Sequence, residues 1–63
     1  MTVIKLLLEL CNGIWCVTAT DEFGTICQAS HENRKLAVER CKGKAQDRVD
    51  DEDLEFREER VQS

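Results

Sequence analysis

Four cysteines and one histidine are the side chains in this 63-residue chain best suited to chemistry. Cys11, Cys16, Cys27 and Cys41 are spaced C-x4-C-x10-C-x13-C. Structural zinc sites are built from tight C-x2–4-C knuckles in pairs, and no two of these cysteines are that close. An even cysteine count in a short chain also fits a disulfide framework, but that reading needs a secretory context. The expected state is four free thiols packed as small apolar side chains, with disulfides and a zinc site as the other readings. His31 has Glu32 beside it and Asp21 ten residues before it, which are the residue types of acid–base catalysis. It falls at an expected helix start, where a histidine is exposed. If His31 and Cys41 share one helix, ten residues hold them about 15 Å apart along the axis, too far for a thiol–imidazole pair. No phosphate-binding loop, dinucleotide fingerprint or zinc-protease motif is present. The reading is a non-enzymatic protein with no cofactor and no metal.

The carboxylates are the stronger signal. Residues 47–63, DRVDDEDLEFREERVQS, hold eight carboxylates against three arginines, while residues 1–46 hold five acids and six bases. The formal charge of −4 therefore arises in the last third of the chain. Crowded like charges weaken a compact fold, so this run reads either as a solubilising tail or as a surface that meets something basic. Arg34, Lys35, Arg40, Lys42 and Lys44 give the preceding segment a basic side. That side reads as a solvated helix face, and the net negative charge counts against direct binding to nucleic acid.

Positioning these groups falls to a small number of elements. A chain of 63 residues is one domain. It buries only about 60% of its unfolded surface and has little room for a deep pocket. Asn12-Gly13 between two β-rich runs marks a two-residue hairpin, because both turn positions need positive φ. Strands Val3–Cys11 and Ile14–Thr20 follow, with Cys11 facing Ile14, Leu10 facing Trp15, Leu8 facing Val17 and Leu6 facing Ala19. Period-two alternation then gives a core face of Ile4, Leu6, Leu8, Leu10, Trp15, Val17 and Ala19, with Trp15 as its largest anchor. A turn at Asp21-Glu22-Phe23-Gly24 leads to a third strand, Thr25–Ala29. With Thr20 facing Thr25, Ala19 meets Ile26 on the core face and Thr18 meets Cys27 on the other. Ser30 is the expected N-cap of a helix over about His31–Asp47. In that helix Ala37, Cys41 and Ala45 form a narrow stripe flanked by Leu36 and Val38. Gly43 weakens it by about 1 kcal/mol relative to alanine, so its C-terminal half is expected to fray or bend.

The fold expected is α+β: a three-stranded antiparallel meander with one helix on one face, β-β-β-α over residues 1–47, followed by an acidic segment, 48–63. Leu7, Cys11, Ile14, Cys16 and Cys27 make the opposite sheet face apolar for a solvated surface. Leu54, Phe56 and Val61 are the large apolar residues of the acidic segment besides Val49. They fit docking onto that face or onto a sheet edge, as a short strand or as a helical turn, so the segment is expected to be partly docked. The N-terminal MTVIKLLLELC alternates with polar residues and runs into Asn-Gly, unlike a cleavable signal. The expected location is the cytoplasm of a bacterial host, without a membrane partner.

A tiny single domain, a short antiparallel sheet with one helix and a concentrated acidic surface together resemble the small phage-encoded anti-CRISPR proteins of the acidic, DNA-mimicking type. The resemblance is one of style over the whole chain, and the basic helix departs from it. It implies an inhibitor that binds a basic nucleic-acid-binding surface, such as a subunit of a CRISPR surveillance complex, and blocks DNA binding there. The residues that would meet this partner are Asp47, Asp50, Asp51, Glu52, Asp53, Glu55, Glu58 and Glu59, on a chain expected to be a monomer. Residues 3–46 are also similar to small β-β-β-α domains that include bacterial antitoxins, which makes an antitoxin-like partner-binding domain the second reading. A cysteine-based zinc or redox protein is the third.

Overall fold

A computed structural model describes residues 2–49 and 52–60. The elements run β1 (Thr2–Cys11), β2 (Ile14–Asp21), β3 (Gly24–His31), α1 (Arg34–Arg48) and β4 (Leu54–Arg60). The four strands form one mixed sheet in the order β3-β2-β1-β4. β1 pairs antiparallel with β2, β2 antiparallel with β3, and β4 lies parallel to β1. The expected fold of three antiparallel strands and a helix is thus corrected to β-β-β-α-β. The fourth strand comes from the acidic segment. A parallel neighbour requires a long crossover, usually a helix, and α1 supplies it by returning the chain from the end of β3 to the start of β4. Leu54 and Phe56 alternate toward the helix side, and the charged residues between them are tolerated because β4 lies at the sheet edge.

The first hairpin forms as expected. Asn12 (φ 51°) and Gly13 (φ 81°) both adopt left-handed backbone, and Cys11–Ile14, Leu10–Trp15, Leu8–Val17 and Leu6–Ala19 are partners. In the second hairpin Thr20 faces Thr25, but the register shifts between Ala19 and Thr20. Ala19 then faces Cys27, and Thr18 faces Gln28. Ile26 is the extra residue of a β-bulge, which inserts two residues opposite one. The bulge carries Cys27 and Ala29, rather than Ile26, into the core. Gly24, at φ 121°, allows the turn, and the Asp21 carboxylate accepts a 2.8 Å bond from the Phe23 N–H.

The helix starts three residues later than expected. β3 remains paired as far as His31, opposite Trp15, so the backbone of Ser30 belongs to the sheet and Asn33 becomes the N-cap. Its side chain accepts from Lys35 N at 2.9 Å and from Leu36 N at 3.3 Å. Despite Gly43, the helix continues to Arg48. It lies over β2 and β3. The small residues Ala37, Cys41 and Ala45, each 0% exposed, let it approach the Ile4, Leu6, Leu8, Val17 and Ala19 side chains. Val38 is buried beside them, while Leu36 and Leu10 are exposed. Trp15 is only partly buried at the margin of this core, so the main fully buried side chains are Ile4, Leu6, Leu8, Val17 and Cys41. Among the described residues no helix is long and apolar enough to cross a membrane.

Candidate partner-binding surface

The topology brings acidic residues from separate segments to one end of the sheet. β1 and β4 begin at one end; β2 ends and β3 begins at that same end, and α1 terminates there. The β2–β3 turn and Val49, which follows α1, therefore line one cleft, although 25 residues separate Phe23 from Val49 in sequence. Asp21, Glu22, Asp47, Glu52 and Asp53 gather at this end, with Arg48 as the base in the adjoining last helical turn. The Arg48 guanidinium is itself engaged, donating to the Ile26 carbonyl at 2.8 Å. The Asp53 carbonyl accepts from Thr2 N at 2.9 Å, which fastens the acidic connection to the start of β1. Phe23 stands in the β2–β3 turn and is 90% exposed. With Thr2, Val3, Asp21, Glu22 and Val49 it lines a shallow cleft of about 360 Å³.

The eight carboxylates read as one acidic surface do not share one face. Asp47, Glu52 and Asp53 are exposed at the acidic end, whereas Asp50 and Asp51 lie outside the described residues. In β4 the alternation separates the others. Glu55 and Glu59 pair with Val3 and Leu7 on the uncovered sheet face; Glu58 pairs with Leu6 on the helix side. Glu55 accepts from Arg57 Nε at 3.0 Å. Glu58 joins Arg34, Lys35, Lys42, Val38 and Glu39 around an open groove of about 550 Å³ between α1 and β4. A strand splits consecutive carboxylates between two faces, which is why the run does not form a single stripe. Asp21, Glu22 and Phe23, outside the acid run, also lie at the end where Asp47, Glu52 and Asp53 fall. The turn marking their position was visible, but its proximity to the acidic connection depends on the parallel return of β4.

The opposite end carries His31, which pairs with Trp15, and Arg34, Lys35 and Arg60, together with Glu9, Glu32 and Glu59. The guanidinium carbons of Arg34 and Arg60 lie 5.8 and 5.6 Å from the indole centroid, within cation–π range. Lys42 Nζ lies 5.6 Å from the Phe56 ring. The basic side of the helix thus divides into two rows. One faces the β4 groove; the other, Arg40 and Lys44, borders β3. His31 Nδ1 accepts from Asn33 N at 2.9 Å, so one ring nitrogen is engaged in the β3–α1 corner.

All four cysteines are thiols. The bulge places Cys27 against α1, with its Sγ 3.9 Å from the Cys41 Sγ and donating to the Cys41 carbonyl at 3.5 Å. The Cys41 thiol bonds the Val17 carbonyl at 3.7 Å. Burial, reinforced by neighbouring Cys27, pushes the Cys41 pKa up to about 12. Cys11 is exposed at a strand end; desolvation there, followed by the Glu9 carboxylate and the Cys16 thiol, raises its pKa from the ordinary value. Among the described residues no three His, Cys, Asp or Glu side chains gather as a metal site. No protein-family model, curated protein or solved structure matches the chain.

Proposed function

We propose that this protein is a non-enzymatic inhibitor that presents its acidic end to a basic, nucleic-acid-binding surface of another protein. The nearest functional type is an acidic anti-CRISPR protein that blocks DNA binding by a CRISPR effector complex. The observation that carries the reading is that Asp21, Glu22, Asp47, Glu52 and Asp53 fall at one end of the sheet, the end where Phe23 is almost fully exposed. Carboxylates held by a sheet and a helix terminus keep their spacing when a partner approaches. Loose ones lose side-chain and backbone entropy on docking. A concentrated negative end attracts a Lys/Arg-lined groove at long range and accelerates encounter, with a salt-dependent rate. An exposed aromatic among the charges is the residue type that anchors protein interfaces.

Two variants test this. In one, Glu52→Lys and Asp53→Lys are combined with Asp21→Lys; in the other, Phe23→Ala removes the exposed ring. Binding to a purified CRISPR surveillance complex is measured across a salt series, alongside competition with its target DNA. The expected outcome is at least tenfold weaker binding and a shallower salt slope for the charge variant. Phe23→Ala should weaken binding about tenfold, in line with an aromatic interface anchor, while leaving the salt slope in place. Unchanged affinity in the charge variant, or binding that fails to compete with DNA, would rule the reading out.

A further inference from the structure

The two edges of the sheet are finished differently. On β3, the Ile26 bulge interrupts the ladder, and two helix side chains cover backbone acceptors. Lys44 Nζ bonds the Gln28 carbonyl at 3.1 Å, and Arg48 bonds the Ile26 carbonyl at 2.8 Å. A bulge and cations on an edge are established ways of preventing another strand from adding there. β4 has neither. With Thr2 N–H bonded to the Asp53 carbonyl and Thr2 paired with Leu54, a regular parallel ladder directs Glu55, Arg57 and Glu59 toward β1. It leaves the N–H and C=O groups of Leu54, Phe56, Glu58 and Arg60 pointing outward. Among the described residues no side chain bonds these outward groups. The helix lies over β2 and β3, so the helix-side apolar residues of β4, Leu54 and Phe56, remain half-buried.

We infer that the β4 edge is a self-association site, on which a second copy of this chain adds its own β4 antiparallel. The resulting sheet has eight strands, β3-β2-β1-β4 followed by the same four in reverse. A twofold axis perpendicular to the sheet keeps both helices on the same side. It also requires outward-bonded residues to meet outward-bonded residues, so the possible registers differ by two. The register centred on Phe56 sets its ring against Phe56 of the second copy. It also places Glu55 opposite Arg57 of the second copy, twice by symmetry, at the centre of the pairing, while Asp53 and Glu59 of the second copy meet only at its margins. Opposite charges and aromatic pairs facing each other across strands are favourable, and like charges are not. The register centred on Arg57 instead opposes Arg57 to itself and Glu55 to Glu59, so charge disfavours that alternative. Strands about 4.8 Å apart, with each helix displaced toward β2 and β3, leave the two helices clear of each other. The copies meet over Leu54 and Phe56, covering the side that α1 leaves open.

Sedimentation equilibrium over a wide concentration range, combined with amide exchange of the intact chain, tests the inference. The expected result is a reversible dimer whose formation protects the amides of Leu54, Phe56 and Glu58. The inward amides of Glu55 and Arg57 should change little. Arg57→Glu should weaken dimerisation at least tenfold, and adding Glu55→Arg to it should restore most of the loss. Glu58→Pro removes only an outward N–H, a change that an edge strand tolerates, and should leave a folded monomer. A chain that stays monomeric at millimolar concentration would overturn the inference. So would a dimer that forms without protecting the outward amides, or one indifferent to Glu58→Pro in a chain that circular dichroism shows to be folded.

Discussion

Cys41 lies where β2, β3 and α1 meet, fully enclosed and within sulfur-contact distance of Cys27. Because the thiolate is the reactive form, its raised pKa and burial make it inert in the folded protein. In a native titration with a thiol reagent, Cys11 and Cys16 should react while Cys27 and Cys41 wait for unfolding. Four equally fast thiols would contradict this packing. The same shift links stability to alkaline pH. The folded Cys41 keeps its proton up to about pH 12, whereas the unfolded thiol loses its proton near 9. The folded state therefore binds more protons above pH 9, and its stability should fall as pH rises from 9 toward 12. Cys41→Ala should flatten that part of the urea-midpoint profile, at a cost in packing at lower pH. That Cys41 belongs to the core was legible in its spacing with Ala37 and Ala45. Its contact with Cys27 was not, because the bulge at Ile26 reverses the faces of everything after it in β3. Bulges insert one residue with little compositional signal: Thr-Ile-Cys reads equally well with either register.

At the scale of elements, the helix depends on a cap that competes with a neighbouring one. Ser30 and Asn33 are both good N-caps, and the longer pairing of β3 with β2 decides between them. Asn33→Ala should lower stability by about 1 kcal/mol; Ser30→Ala should change it by less than half of that. Denaturant titration of the two variants distinguishes the caps. Gly43 sits mid-helix with open space around a would-be Cβ. Gly43→Ala should therefore raise stability by about 1 kcal/mol, read as a thermal midpoint roughly 4–8 °C higher in a domain of this size. A lower midpoint would mean that the position requires glycine for a reason other than helix geometry. The Asn12-Gly13 hairpin was readable residue by residue because a two-residue turn sets its own register. β4 was harder to read. Its alternation of Leu54 and Phe56 fits a strand, but its pairing with β1 is a long-range contact encoded by no local turn.

For the molecule as a whole, the parallel return of β4 decides which charged groups share an end of the sheet. It sets Glu52 and Asp53 at the end that holds the Asp21-Glu22 turn, and leaves Arg34, Lys35 and Arg60, with Glu9, Glu32 and Glu59, at the other. Carboxylates gathered at one end repel one another, and salt screens that repulsion over about 10 Å at 0.1 M. Glu52→Gln with Asp53→Asn should therefore stabilise the protein by a few tenths of a kcal/mol at low ionic strength. The gain should vanish near 1 M salt, as measured by urea midpoints. No gain at low salt would show that the acidic end is too well solvated to be strained. The sequence by itself determined the first hairpin and its inner face, the small-residue stripe of the helix and the acidic bias of the last third. Each follows from local turn chemistry, periodicity or composition. Tertiary structure alone decided the bulge, the helix cap, the parallel fourth strand and the meeting of two distant acidic segments. Each of these is a choice between locally equivalent arrangements, settled by which one pairs the most backbone and buries the most apolar surface at once.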